Sequence, residues 1–460
     1  MLNFKKPSFK ENMLDFNSEN TQSSIIKFES MLKTNHVYFF DAQEFEDIIV
    51  HYLGFAENNL AKKALKMGLN QHPSNLELML LQSEVFILDQ KYENALDLLD
   101  YVSKIDPLYE EVFLQRATIA SKSGNHAGAI LFLKNALELS EEPEEIWNLL
   151  GLEHLLVEEY EKSLHYFKNC LKNNKEDYPS LYNLLYCYEQ LDKDEEAIES
   201  LNEVLEHNPY CEVAWHQLGK LLSKLDKTNE ALSAFDYAII SDDTFTGAYV
   251  EKGKVLEKIG RINESIENYE VALNTTDPSA FILESIGRCH EKLGNDRLAQ
   301  KFYLKSIHTE PANENSWQSL INFHIKAKNF KKANHYLESA LEVNSDSFLL
   351  WKQSAFVNQS LKLNKEALTA YQKVIDFGFF ELALLLNYID LNIHLKLWNQ
   401  AFDIIQIAFK GYPESGELKL RNMGCKLLLE KGIKEKVNFI DCNLNKKDQA
   451  IFFKLFSTLK

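Results

Sequence analysis

Residues 212–245 read EVAWHQLGKLLSKLDKTNEALSAFDYAIISDDTF, and residues 246–279 read TGAYVEKGKVLEKIGRINESIENYEVALNTTDPS. Laid one over the other, the two segments pair Trp215 with Tyr249, Gly219 with Gly253, Leu222 with Leu256 and Ala238 with Ala272. A fixed period of this kind decides a fold before any local propensity does. Within the first segment, Trp215, Leu218, Gly219 and Leu222 fall at i, i+3, i+4 and i+7, which makes one apolar stripe of a helix. Ala231, Phe235 and Ala238 make a second stripe. Each segment therefore predicts two helices, A and B, joined by a short turn.

The period extends outward in both directions. Ala recurs at 61, 95, 129, 197, 231, 299, 333, 367 and 401, always 34 or 68 apart, and the two skipped slots hold Ser163 and Ser265. Trp147, Trp215, Trp317 and Trp351 obey the same lattice, as do Gly151, Gly219, Gly253 and Gly287. Counting from Ala42 gives eleven units over residues 42–415 with no insertion or deletion. Position 24 of each unit is large and position 27 is small. Such pairing lets helices approach closely while the large residues fill the remaining space. Gly124, Gly260 and Gly294 share position 15, between the helices, where a positive φ suits glycine. Pro73, Pro107, Pro209, Pro311 and Pro413 share position 32, where a helix B must stop; Pro143, Pro179 and Pro278 lie within four residues of that junction.

The pattern W-x-x-L-G…A-x-x-x-F-x-x-A…P, as in Trp147 to Gly151 and Ala231 to Ala238, resembles the tetratricopeptide repeat family. The resemblance implies an all-α fold: antiparallel helix pairs stacked into a right-handed superhelix, with helix A lining a concave groove. Other α-solenoids use helix pairs too, but the constant 34-residue spacing separates this chain from them. The resemblance also implies a non-enzymatic scaffold or adaptor for protein partners.

The two ends are expected to cap the array, since a terminal repeat exposes an apolar face. Residues 1–41 read as a loose tail followed by a helix carrying Ser24, Phe28 and Met31. Residues 416–460 read as a degenerate repeat plus an amphipathic helix over 446–459. That last helix is expected to cap the final repeat, with a role at a partner or membrane surface as the alternative.

Bulk composition sets outer limits. Gly and Pro total 25 of 460 residues, as a chain of helices joined by short turns requires. A net charge of −18 argues against general nucleic-acid binding. The acidity is local: residues 141–210 hold 18 Asp or Glu against 5 Lys, while residues 411–460 hold 10 Lys or Arg against 6 acids. No run of 18 apolar residues predicts a membrane span, and the N-terminus has no apolar core of a secretory signal. Six scattered cysteines suit reduced thiols, so a cytoplasmic location is expected.

No phosphate-loop, dinucleotide, zinc-protease or nucleophile-elbow motif occurs. No catalytic, cofactor or metal residue is therefore expected. His154, His290 and His324 at position 11 read as packed core residues. Cys289 and His290 are adjacent and splay about 100° apart on a helix, a poor nucleophile–base pair.

Positions 2, 5, 9, 12 and 13 lie opposite the buried stripe of helix A, on the side that forms the groove in this family. There Lys220, Lys254 and Arg288 at position 9 alternate with Lys224, Lys258, Lys292 and Lys326 at position 13, beside Glu257, Glu284 and Glu291. This ladder is the candidate site for an acidic segment or a C-terminal carboxylate, the alternative being a solvated helix face. The two-carboxylate clamp of chaperone-tail receptors is matched by no three consecutive units. Other groove positions are apolar: Leu80, Ile87, Leu88, Leu114, Leu152, Leu155, Leu156, Tyr182 and Tyr186, then Leu349, Phe356, Leu386 and Ile393. Tyr182 and Tyr186 are the expected anchors, with Leu152 and Leu156 beside them. These patches equally allow a homodimer.

Overall fold

The computed structural model describes residues 19–34, 38–275, 279–430, 452 and 454–456. The tail 1–18, Pro278, Cys442 and most of the 446–459 segment lie outside the described residues. Among those described there are twenty-four helices and no strand. The helices that open the units start at Ala42, Leu76, Glu110, Glu144, Tyr178, Glu212, Thr246, Ala280, Glu314, Phe348 and Leu382, 34 residues apart. The second helices start at Asn58, Tyr92, His126, Tyr160, Asp194, Thr228, Ile262, Asp296, Phe330, Asn364 and Trp398, with the same spacing.

One backbone device makes every A–B turn. The residue at position 15 is left-handed in all eleven units, with φ between 52° and 83°. Only Gly124, Gly260 and Gly294 are glycine; Ala56, Gln90, Glu158, Asp192, Asp226, Lys328, Lys362 and Lys396 adopt the same conformation. The next residue then donates its N–H back to position 11, as from Asn125 to Ala120 at 2.8 Å and from Arg261 to Leu256 at 2.9 Å. This bond satisfies a carbonyl that the helix end would leave orphaned. Turn chemistry thus rests on backbone geometry, which explains why glycine is dispensable at most turns.

The helices pair through matched volumes. A methyl group built on Gly151, Gly219, Gly253 or Gly287 would lie 2.6–2.8 Å from the ring of Phe167, Phe235, Tyr269 or Tyr303. These are positions 8 and 24 of one unit. Opposite Ala117, Ile321 and Ile389 at position 8, position 24 is the smaller Leu133, Leu337 and Ile405, although Ala355 shares its unit with Tyr371. The indoles at position 4 tie units together: Trp317 donates to the Pro311 carbonyl and Trp351 to the Ser345 carbonyl, each at 2.8 Å.

The chain forms two compact units, one up to Ala214 and one from Trp215 onward. In the first, α1 (Glu19–Thr34) buries Phe28 and Met31 against Phe45, Ile48 and Tyr52 of α2 (Ala42–Gly54). The Ser24 hydroxyl donates to Glu44 at 3.0 Å. In the second, Gly416–Glu430 continues the lattice as α24, the last described helix. Phe452 and Phe456 are fully buried in its cluster, with Leu418 and Cys425, and the Phe456 ring fills the space beside Gly424.

Candidate functional site

The seven cations of the ladder project from α12 (Glu212–Lys224), α14 (Thr246–Lys258), α16 (Ala280–Lys292) and α18 (Glu314–Lys326). They do not stand as a bare positive strip. Lys254 pairs with Glu251 at 2.7 Å, and Lys258 pairs with Asp226 of the preceding unit at 2.6 Å. Arg288 grips Glu257 of the preceding unit and also reaches Glu284 of its own helix at 3.2 Å. Lys292 joins Glu257 at 3.0 Å, and Lys326 reaches Glu291 at 2.7 Å. Lys220 donates to Gln217 at 3.4 Å, and Lys220 and Lys224 are exposed. Seven cations thus share this face with five carboxylates, Asp226, Glu251, Glu257, Glu284 and Glu291. Four of these six ion pairs join one repeat to the next and two lie within a helix, so much of the ladder's charge is spent within the fold.

Glu257 is the centre of this network. It is buried, which alone would raise its pKa, but hydrogen bonds from Arg288 and Lys292 hold it below the ordinary carboxylate value. The Tyr303 hydroxyl donates to Glu291 at 2.7 Å, and Tyr371 donates to Gln359 at 2.6 Å. In these two units position 12 accepts from the tyrosine at position 24, whereas the Tyr269 hydroxyl is buried without such a bond to Glu257. Beside Lys220, burial and the nearby ammonium push the His216 imidazole down to about 4, so it is neutral near pH 7.

The first unit carries apolar positions of this face. Tyr182 and Tyr186 on α10 (Tyr178–Gln190) are 45% and 44% exposed, and Leu152, Leu155 and Leu156 on α8 (Glu144–Leu156) are half-buried. The Tyr160 ring meets Tyr186 edge-on with centroids 6.4 Å apart. Asn148 of α8 donates to Ser180 of α10 at 3.2 Å, so these two helices sit side by side. Three residues expected on this surface are instead buried: Leu80, Ile87 and Ile393. Leu80 and Ile87 pack with Val112 and Ile119 of the next helix A. Leu349 and Phe356 are exposed, while Leu386 is half-buried.

The three position-11 histidines stack on the ring at position 23. His154 lies on Tyr166 with planes 8° apart, His324 on Tyr336 at 12° and His290 on Phe302 at 26°. Burial lowers the pKa of each. This pairing of positions 11 and 23 is visible in the sequence as a co-occurrence of His with an aromatic twelve residues on. Where position 23 is Ala234, an open hollow of about 340 Å³ remains between Trp215, Leu218, Leu222 and Tyr237. A second hollow of about 240 Å³ is lined by Lys134, His154, Glu161, Lys162, His165 and Tyr166. Among the described residues no His, Cys, Asp and Glu side chains gather into a metal-binding group. Five described cysteines are buried free thiols, and no described helix is long and apolar enough to cross a membrane.

Tandem helix pairs at a constant 34-residue step, closed by one left-handed turn, define a helical repeat protein. A family model described as tetratricopeptide repeat matches residues 178–211, one complete unit of the lattice. The other units repeat the helix pair of that matched segment at the same 34-residue step, so the fold is that of a tetratricopeptide-type repeat array. No curated protein matches it. Among solved structures, it is similar to YrrB, described as a repeat protein of this kind with an unusual peptide-binding site. The identity is 18%, with 39% of this chain and 93% of that chain covered and a TM-score of 0.32. It is similar to a chain of the Cut9–Hcn1 hetero-tetramer at 13% identity, covering 88% and 93%, with a TM-score of 0.36. It is similar to MamA at 23% identity, covering 35% and 95%, with a TM-score of 0.32.

Proposed function

We propose that this protein is a non-catalytic scaffold, working in the cytoplasm, that receives extended segments of other proteins along the helix A faces of its repeats. The observation that carries this reading is the Tyr182–Tyr186 pair. Two large aromatic side chains, one helical turn apart, stay nearly half exposed beside half-buried Leu152 and Leu156. Tyrosines in such a setting offer broad contact area at low entropy cost and are favoured anchors of protein interfaces. The cationic ladder supports an acidic ligand less well, since carboxylates of the fold already engage most of it.

The test is affinity capture on the full chain with mass spectrometry, comparing the wild type with Tyr182→Ala/Tyr186→Ala. Loss of specific partners in the variant supports the reading; an unchanged set of partners overturns it. A second reading, self-association, is favoured by exposed Leu349 and Phe356 on Phe348–Ser360. Light scattering decides it: a strict monomer at micromolar concentration removes that alternative.

A further inference from the structure

The second helix of each unit carries a charge pattern of its own. Positions 18, 22, 26 and 29 fall within an arc of about 80° on helix B and span about 17 Å of its length. In the fifth unit they are Glu195, Glu199, Glu203 and Glu206, on α11 (Asp194–His207). In the eighth they are Arg297, Lys301, Lys305 and His308, on α17 (Asp296–Thr309). No other unit fills all four positions with acidic or with basic side chains alone.

All eight side chains are exposed, and none makes an ion pair among the described residues. They differ in this from the helix A ladder, whose cations Lys258, Arg288, Lys292 and Lys326 are held by carboxylates of the fold. On the helix B before α11, the Lys168 ammonium stands 5.4 Å from the centre of the Tyr188 ring and makes no ion pair with the acidic stripe. Around α17, Glu267 and Glu270 before it and Glu338 after it make no ion pair with the basic stripe. Gln300 donates to Tyr336 at 3.2 Å, so α19 (Phe330–Val343) lies alongside α17 and carries exposed Lys331 and Lys332. Like charges four residues apart cost a helix stability, and each stripe bears that cost with no ion pair in the fold to offset it. A surface of opposite sign at the same spacing relieves both stripes and selects its partner.

We propose that the α17 stripe is a docking surface for a second copy of this chain, which presents its α11 stripe. Laid antiparallel, with their dipoles opposed, the two helices bring Glu206 to Arg297, Glu203 to Lys301 and Glu199 to Lys305. The same alignment brings Tyr210, 73% exposed just past α11, to the end of α17 that carries Leu298, 40% exposed. The contact is heterologous, since each copy offers one stripe of each sign. It rests on the self-association reading above but uses helix B in place of the Leu349 and Phe356 surface.

The test is light scattering on the full chain at micromolar concentration. The wild type should associate, and raising salt from about 0.05 to about 0.5 M should weaken that association by about tenfold. Glu199→Lys/Glu203→Lys and Lys301→Glu/Lys305→Glu should each lower the association constant by about tenfold or more, with the melting transition retained. An equimolar mixture of the two variants should recover it, because one keeps the basic stripe and the other keeps the acidic one. Should either reversal fail to fold, Glu203→Gln and Lys301→Gln should each lower the constant by about twofold or more. Association that ignores salt and both reversals overturns the contact while leaving self-association through Leu349 and Phe356 standing. A mixture that fails to associate overturns the contact as well. A strictly monomeric wild type overturns both, and one that also binds phosphatidylserine vesicles through Lys301 and Lys305 gives the basic stripe a membrane surface in place of a second copy.

Discussion

Arg288 holds Glu257 across a repeat boundary: Nε lies 2.8 Å from Oε1 and Nη2 lies 3.2 Å from Oε2. The carboxylate is buried and the guanidinium is about a third exposed. A planar fork matched to both oxygens is the geometry in which arginine outperforms lysine. Removing the arginine leaves a buried carboxylate with Lys292 as its remaining cation. Arg288→Gln should therefore destabilise the second unit by about 1–2 kcal/mol, the buried-pair figure reduced by solvent at the arginine. Lys220→Glu, at an exposed site, should stay within about 0.5 kcal/mol. Urea melts of the two variants separate a structural clamp from a spare surface charge.

The same pair has a pH signature. Arg288 and Lys292 lower the folded-state pKa of Glu257, so its contribution is present above the unfolded value. It is lost as pH falls through the depressed folded value. Glu111 has the opposite sign. Its folded carboxyl, pushed up to about 8, binds protons that the unfolded chain releases, so stability declines as pH rises from the ordinary carboxylate range toward 8. Glu111→Gln removes that decline. The variant should be more stable than the wild type at pH 8 and equal to it at pH 4, as thermal melts across that range would reveal.

Gly253 and Tyr269 test the matched-volume rule. A methyl at Gly253 would lie 2.7 Å from Tyr269 Cε1, so Gly253→Ala must displace a buried ring. The expected cost is about 1–3 kcal/mol. Adding Tyr269→Leu should recover much of it, because the Ala117–Leu133 pair already uses that combination at the same two positions. A double variant no more stable than the single one contradicts the rule.

The A–B turns give a further contrast. Gly260→Ala, at φ +83°, should cost about 1 kcal/mol, whereas Lys328→Gly, at φ 55°, should cost nothing or stabilise slightly. Both follow from the left-handed conformation, and chemical denaturation of each variant measures them.

Much of the fold was legible because its signal is periodic. The Ala61-to-Ala401 series and the four Trp residues place the helices that open at 42, 76, 110 and onward without any tertiary information. The turns were read less completely. Three glycines pointed to position 15, but Glu158, Asp192 and Lys328 adopt the same conformation without any local compositional sign. The candidate site was legible in part. Tyr182 and Tyr186 are exposed as their positions imply, yet Leu80, Ile87 and Ile393 are buried, because a stripe on one helix does not reveal where the neighbouring helix A encroaches. The pairing of Arg288 with Glu257, 31 residues apart, depends on that same neighbour. A count of charges along one face sees a cationic ladder, where the stacked repeats form alternating ion pairs.

Protein segments are proposed to dock on the helix A face at Tyr182 and Tyr186. The most direct test is calorimetric titration of a captured partner segment into the wild type and into Tyr182→Ala/Tyr186→Ala. Affinity should fall by about tenfold or more, roughly 1.4 kcal/mol, in a variant that melts like the wild type. An unchanged affinity would contradict it.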